Sequence, residues 1–457
     1  MTIMSFPEMW ENSACWRAEF TNERGDVCDA LVARAVPNRI LFETDTNSDD
    51  VLAMKAMFNW HFQPVPVPHP MVRSEVNPDL PSLTSGLELW AKRAQLGTIA
   101  SWPRRTTSDL EPILRRLGIV AVEGEMLLPV GPLIRPRTVS LREHSSTALF
   151  ANGGYFICDH TEPTGPADAF GDPIGLLVDQ GIIHNPPLFR RAAYFVSRGK
   201  ISIASIGRED FSLRLPNGAL ISTKTKNPRI LIHGIDGIHN KTPQAPTFEI
   251  GFLGRYAVYA KEGGDMPIPK AGFVLSWNDK PDEHTIEALR AGQPVEFSLQ
   301  GWPSLETALQ MGPMLIEDGN VVITNDSFLL EEFVTSQAVN LPPEPFPTEA
   351  FSARAGRMAL AIDEKGHPYV IAVRGTSGLL NRLGEHLTSG ISLVELATQL
   401  KEMGYVSAMN LDGGGSTQVF LGSGAMLFES RHKGKNALSV FERAVSNVIG
   451  CSLYQES

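Results

Sequence analysis

Residues 405–422 read YVSAMNLDGGGSTQVFLG. A mostly apolar run from Val406 to Leu411 delivers Asp412 into three consecutive glycines, and Gln418–Leu421 resumes the apolar pattern. Short β-branched or aromatic runs bounded by turn chemistry read as strands, so the segment predicts strand, loop, strand. Three glycines allow φ > 0 in succession and let another group approach the backbone closely. Their N–H groups can point inward as an anion-binding nest, with the Ser416 and Thr417 hydroxyls as further donors. Gly413, Gly414, Gly415, Ser416 and Thr417 are therefore candidate binding residues. Asp412 stands at the mouth of the nest, where it could act as acid or base, hold a sugar hydroxyl, or bind a metal. The plainer alternative is a glycine-rich hairpin capped by the Asp.

Working outward, Ser392–Met403 (SLVELATQLKEM) predicts a helix. Leu393, Leu396, Ala397 and Leu400 repeat at helical spacing, and Gly404 stops it. From about residue 136 onward the texture is otherwise strand-like: RAAYFVSRGKISIASIG, PTFEIGFLGRYAVYAKEG, AGFVLSW, QPVEFSLQG and MALAIDEKGHPYVIAVRG. The expected fold class is α+β, with a large mixed β-sheet domain over residues 136–457 and few helices. Residues 1–135 read as a separate small helical or mixed region of unknown role. It has helix-like spacing in NSDDVLAMKAMFNWHF, LTSGLELWAKRAQLG and SDLEPILRRLG, and an extended Pro-rich connector at 63–70.

The whole chain has 457 residues, 42% hydrophobic and 20% charged, which is ordinary globular usage and excludes wholesale disorder. Its 40 glycines and 33 prolines exceed the usual share and favour turns between short strands. A net charge of −11 leaves no basic footprint for nucleic acid. The four cysteines (Cys15, Cys28, Cys158, Cys451) are scattered, so neither a zinc site nor a disulfide scaffold is expected. No basic segment followed by an apolar core opens the chain, and the apolar stretch 117–134 is broken by Glu123, Glu125 and Pro129. A cytoplasmic location without membrane association is the resulting expectation.

Two further glycine sites stand out. In ANGGYF (151–156), Asn152 can bond sugar hydroxyls or orient a carboxylate, and Gly153–Gly154 permit close backbone approach; alone, NGG is also a hairpin turn. In QMGPMLIEDG (310–319), Gly312-Pro313 is a turn before a buried strand. Arg357 and Arg443 each open or flank strand-like runs and could clamp a phosphate. The histidines show no metal-protease spacing, and neither a GxSxG elbow nor a GxxxxGK[ST] loop occurs, so serine hydrolases, zinc proteases and P-loop NTPases are excluded.

Taken in order, these segments resemble the phosphodiester glycosidase family. ANGGYF looks like its NGG(F/Y)F element, DPIGLLVDQG its first hairpin, and IPKAGFVLS its P-x-x-G-F-V-L-S strand. MGPMLIEDG resembles its G-P-x-L strand and GRMALAID its Arg-bearing strand. Residues 393–419 resemble its helix followed by NLDGGGST, and ERAVSN its terminal strand. The resemblance implies a hydrolase that cleaves a sugar-1-phosphodiester at the glycosidic bond. It implies catalytic roles for Asp412 and Arg357, and a pocket lined by Asn152, Gly153, Gly154, Gly312, Pro313, Gly413, Gly414, Gly415, Ser416 and Thr417. The second acid or base stays open, with Asp318 and Asp363 as candidates. A divalent metal is compatible with these donors, and its presence is left open too. Where the family often shows V-D-G-R, this chain has Val373-Arg374-Gly375-Thr376, which removes one carboxylate. The rival readings are a non-catalytic sugar or anion binder on the same fold, and an actin-like phosphohydrolase of exopolyphosphatase type. The implied partner is a small sugar phosphodiester or glycan.

Overall fold

The computed structural model describes residues 14–42, 134, 136–143, 148–157, 171–237, 240–290, 292–324, 326–333, 352–375, 390–429 and 445–454, with backbone alone for 61–66 and 125–130. The two strands of the 405–422 segment form as expected, at Tyr405–Leu411 and Gln418–Leu421. They are not sheet neighbours, so the simple hairpin alternative does not hold.

Both belong to one 11-stranded sheet. Its order runs Asn320–Val321, Met314–Glu317, Tyr405–Leu411, Arg357–Asp363, Pro368–Val373, Val27–Phe42, Asn447–Leu453, Ala148–Asn152, Gln418–Leu421, Met426–Glu429. Cys15–Thr21 also joins Val27–Phe42. Six strand spacings separate Tyr405–Leu411 from Gln418–Leu421 along this order, roughly 29 Å if the sheet were flat. The loop between them reaches at most about 24 Å. The sheet therefore curls, and the Asp412 N–H donates to the Gly153 carbonyl at 3.2 Å, joining strand ends from its two halves.

The 16-residue strand Val27–Phe42 connects those halves. Residues 30–34 pair with Pro368–Val373, and residues 35–42 pair with Asn447–Leu453. Within the first 135 residues, Cys15–Thr21 and Val27–Phe42 are thus strands of the same sheet as residues from far downstream. Residue 135 does not divide this sheet into separate regions. The helices expected within 83–97 and 108–118 lie outside the described residues, as does 47–60 of the first helical pattern. His61 and Phe62, at the end of that pattern, begin instead the strand His61–Pro66, which pairs with Glu125–Val130. The expected extended character of 63–70 is met over 63–66.

The class is α+β with few helices, as the strand texture indicates. Every described strand pairing is antiparallel, rather than mixed. The helix Leu393–Glu402 forms behind Ser392, whose hydroxyl accepts the Glu395 N–H at 3.2 Å while the Glu395 carboxylate accepts the Ser392 N–H at 2.8 Å. This reciprocal cap satisfies two donors that the first turn leaves open. Leu393, Leu396, Ala397 and Leu400 are buried in the core under the large sheet, and Gly404 takes φ +89° just past the helix end. Shorter helices at Pro136–Glu143, Glu283–Arg290 and Ser327–Leu330 carry no sustained apolar periodicity and were not legible.

A second core lies between a five-stranded sheet (residues 177–206 and 305–310), a four-stranded sheet (229–277) and a three-stranded one. The strand-like runs 191–207 and 246–263 each fold as a hairpin. Phe252 and Phe273 stack with ring centroids 5.0 Å apart, and Phe211 and Phe297 meet Phe273 edge-on. Such rings supply large buried area to this core. Among the described residues no helix is long and apolar enough to cross a membrane. Cys15, Cys28 and Cys451 are buried and reduced.

Candidate active site

The curl brings the chemically marked segments together. Ala148–Asn152 ends at the NGG element, and Asn152 is fully buried. Its Nδ2 donates to the Asp412 carbonyl at 2.7 Å, and its Oδ1 accepts the Gln418 N–H at 3.0 Å. The side chain therefore ties both ends of the GGGST loop to one strand. Its donor and acceptor ends are each engaged within the fold.

Gly153 owes its identity to Asn447, and a Cβ on Gly154 would press on Leu309 and Met311. The Gly153 N–H donates to the Asn447 carbonyl at 3.0 Å, and the Gly154 N–H to Asn447 Oδ1 at 2.6 Å. A Cβ on Gly153 would overlap Asn447 Oδ1. Asn447 lies in the ERAVSN segment, and its site role was missed because nothing local in the sequence links it to residue 153.

The loop itself is a short 3-10 turn, Gly414–Ser416. The N–H groups of Asp412, Gly414, Ser416 and Thr417 donate to the carbonyls of Gly153, Gly356, Gly413 and Gly414. Of the three glycine N–H groups expected to form the nest, the fold closes that of Gly414, and those of Gly413 and Gly415 make no bond to described residues. Thr417 Oγ1 is buried without a hydrogen-bond partner. Gly413 packs against the Gly356 carbonyl and Arg357, placing Arg357 beside the loop.

Arg357 is buried. Its Nε donates to the Ile391 carbonyl at 3.1 Å and its Nη2 to the Ala353 carbonyl. Burial lowers its pKa to about 10, against the opposing pull of Tyr155 and Glu395. It braces the 353–357 and 390–391 segments beneath the GGGST loop.

Gly312 has φ +81° and precedes a cis Pro313. The Gly312 carbonyl accepts from Tyr155 OH at 3.3 Å and from Asn410 Nδ2 at 3.1 Å, and the Asn410 N–H donates to the Pro313 carbonyl at 3.0 Å. Asn410 Nδ2 also donates to Tyr155 OH at 2.8 Å. Burial raises the Tyr155 phenol, and the charges that act on it are Asp412, Arg357, Arg191 and Glu331.

Glu331 was not found from sequence. Its Oε1 accepts the Met314 N–H at 2.6 Å and its Oε2 the Ala192 N–H at 3.0 Å. Burial raises its pKa, partly offset by those two N–H groups and by Arg191. Arg191 fixes the segment by donating to the Glu331 and Glu332 carbonyls while stacking on Phe189 and Phe333.

Neither sequence candidate for the second carboxyl reaches the site. Asp363 lies at the opposite end of the Arg357–Asp363 strand, roughly 20 Å from Arg357 at ordinary strand rise. There it caps a turn, accepting from the Lys365 and His367 N–H groups, His367 Nδ1 and Tyr369 OH. Asp318 occupies the exposed turn between Met314–Glu317 and Asn320–Val321. Arg374 pairs with Asp29 at 3.0 Å, and Arg443 lies outside the described residues. Among the described residues no three His, Cys, Asp or Glu side chains converge as a metal site.

The sequence of residues 247–452 matches the phosphodiester glycosidase family. The match spans a little under half of the chain. The NGG element lies upstream of the matched range, yet it bonds to Asp412 and Asn447 within it. No curated protein sequence matches the chain. Among solved structures, a hypothetical protein from Synechocystis aligns at 16% identity and TM-score 0.44, over 96% of this chain and 62% of its own length. The chain thus spans less than two thirds of that relative. The catalytic domain of zebrafish N-acetylglucosamine-1-phosphodiester alpha-N-acetylglucosaminidase, auto-inhibited by its pro-peptide, aligns at 12% identity and TM-score 0.38. That alignment covers 97% of this chain and 82% of the zebrafish domain.

Proposed function

We propose that the chain hydrolyses the glycosidic bond of a sugar-1-phosphodiester, releasing free sugar and a phosphomonoester. The observation that carries this reading is the convergence of Asp412, Gly153, Asn447, Arg357, Gly312 and Tyr155 in one cluster, within a fold of which residues 247–452 match that family. Water adds to the anomeric carbon as the bond to the phosphodiester oxygen breaks. A phosphate leaves readily as an anion, so charge stabilisation and a carboxylate at the oxocarbenium centre are the main requirements. Asp412 is the carboxylate assigned to that centre. The unbonded N–H groups of Gly413 and Gly415 are the donors assigned to the anion.

The test is a panel of sugar-1-phosphodiesters, GlcNAc-1-phosphodiester and UDP-GlcNAc among them, with release of reducing sugar as the readout. Wild type is expected to release sugar, and a folded Asp412→Ala variant is not. If wild type releases none, with or without divalent metal, hydrolysis is wrong. A binding-only reading draws on the engagement of Asn152 and Arg357 in structural bonds. It would appear in the same panel as calorimetric binding without sugar release.

A further inference from the structure

The Gly312–Pro313 turn is held from both sides. On one side Asn410 and Tyr155 read its two carbonyls. Because a carbonyl can only accept, the Asn410 atom at 3.1 Å from the Gly312 oxygen is the amide nitrogen. Asn410 lies near the end of the strand Tyr405–Leu411, and Asp412 follows immediately past that end. On the other side sits the Glu331 carboxylate. It accepts the Met314 and Ala192 N–H groups and fills the space that a Cβ on Gly312 would need.

We propose that Glu331 is a positioning residue of this site, fixing the Gly312–Pro313 turn and through it the Tyr155–Asn410 pair beside Asp412, and that its charge state is coupled to turnover. This rests on the glycosidase reading. An ionised carboxylate accepts at both oxygens, which is what two converging N–H donors require. Protonation converts one acceptor into a donor and sets it against an N–H group.

The charged and titratable groups around it come from every element packed there. Arg191 comes from the strand Arg191–Ser197, Glu317 from Met314–Glu317, and Tyr155 from the NGG turn. Glu332 lies on its own segment and accepts the Arg190 N–H at 2.9 Å. Asp412 acts on the same phenol from the far side. Burial acts against ionisation of Glu331, so protonation begins above the ordinary carboxylate range.

The test compares pH–rate profiles of wild type, Glu331→Gln, Glu331→Asp and Glu332→Gln on the best phosphodiester of the panel. Glu331→Gln puts an NH₂ group against one of the two N–H donors. It is expected to lower kcat by about 10-fold or more, to change KM less, and to flatten the acid limb. Glu331→Asp keeps a titrating limb, displaced and with reduced kcat, and Glu332→Gln leaves the limb where wild type has it. A Glu331→Gln profile of wild-type shape and height overturns the proposal, as does a lowered Tm with kcat and limb unchanged. Should Glu331→Gln fail to fold, a Glu331→Asp variant with wild-type kcat and limb overturns it equally. Wild type that releases no sugar removes the glycosidase reading and this inference together, whereas active wild type with an unaffected Glu331→Gln removes this inference alone.

Discussion

The chain uses runs of glycine twice at the site, for different physical reasons. At Asn152–Gly154 the glycines are required by lack of room. Asn447 donates no space for a side chain on Gly153, and its carbonyl and Oδ1 take both backbone N–H groups. At Gly413–Gly415 the first glycine is confined by the Gly356 carbonyl, whereas Gly414 has φ +57° and open space where a Cβ would point. The first run is a lock between strands. The second is a loop with one free side, and it carries the carboxylate. Identical letters therefore do not imply identical roles, and the neighbours decide which role each run has.

That contrast can be broken by experiment. The largest effect is expected for Asp412→Asn, with sugar release falling about 10²- to 10⁴-fold and a nearly unchanged melting curve. A large loss of Tm instead would make Asp412 part of the lock. Next is Gly153→Ala, where the added methyl must displace Asn447, at a cost of about 1–3 kcal/mol in chemical denaturation. A neutral result would mean that the lock is slack.

A buried carboxyl without a lock sharpens the comparison. Glu249 is fully buried in the four-stranded sheet, with Oε2 bonded to Thr242 Oγ1 at 2.8 Å and Oε1 unpartnered. Burial raises its pKa from 4.5 to about 7, against the pull of the Thr242 and Ser276 hydroxyls. The folded chain holds this proton between about 4.5 and 7 while the unfolded chain releases it, so its contribution to stability falls as pH rises through that window. Glu249→Gln should therefore melt near wild type at pH 5 and above it at pH 8. A Tm difference that does not change with pH would refute the assignment. The smallest effect is expected for Gly414→Ala, about 1 kcal/mol for placing a Cβ at positive φ, measured by denaturant titration.

Much of the local structure was legible because its causes are local. The hairpin at 191–207 is set by alternating apolar residues around Arg198–Gly199. The helix at 393–402 is set by its apolar spacing, the Ser392 cap and Gly404. What could not be read depends on residues distant in sequence. The 15–42 strands look unremarkable until the partners supplied by 368–373 and 447–453 are known. Asn447 gains meaning only from Gly153, and Glu331 only from Ala192 and Met314. Asp363 and Asp318 were attractive as carboxyls in strand-like motifs, but strand direction puts them at the wrong ends. The nest expected at GGGST is closed at Gly414 alone, whose N–H group the Gly356 carbonyl claims, again a contact between residues distant in sequence.

The pairing of Val27–Phe42 with Asn447–Leu453 has a consequence for biosynthesis. During translation from the N-terminus, the strand that joins the two halves of the sheet emerges some 400 residues before its partner. Pairings this remote in sequence carry a high closure entropy and form slowly. Until the last strand arrives, the lock on Gly153 has no key and half of Val27–Phe42 presents an unpaired edge. The site therefore stays unformed while the intervening residues are made, and that exposed edge is where a chaperone would be needed.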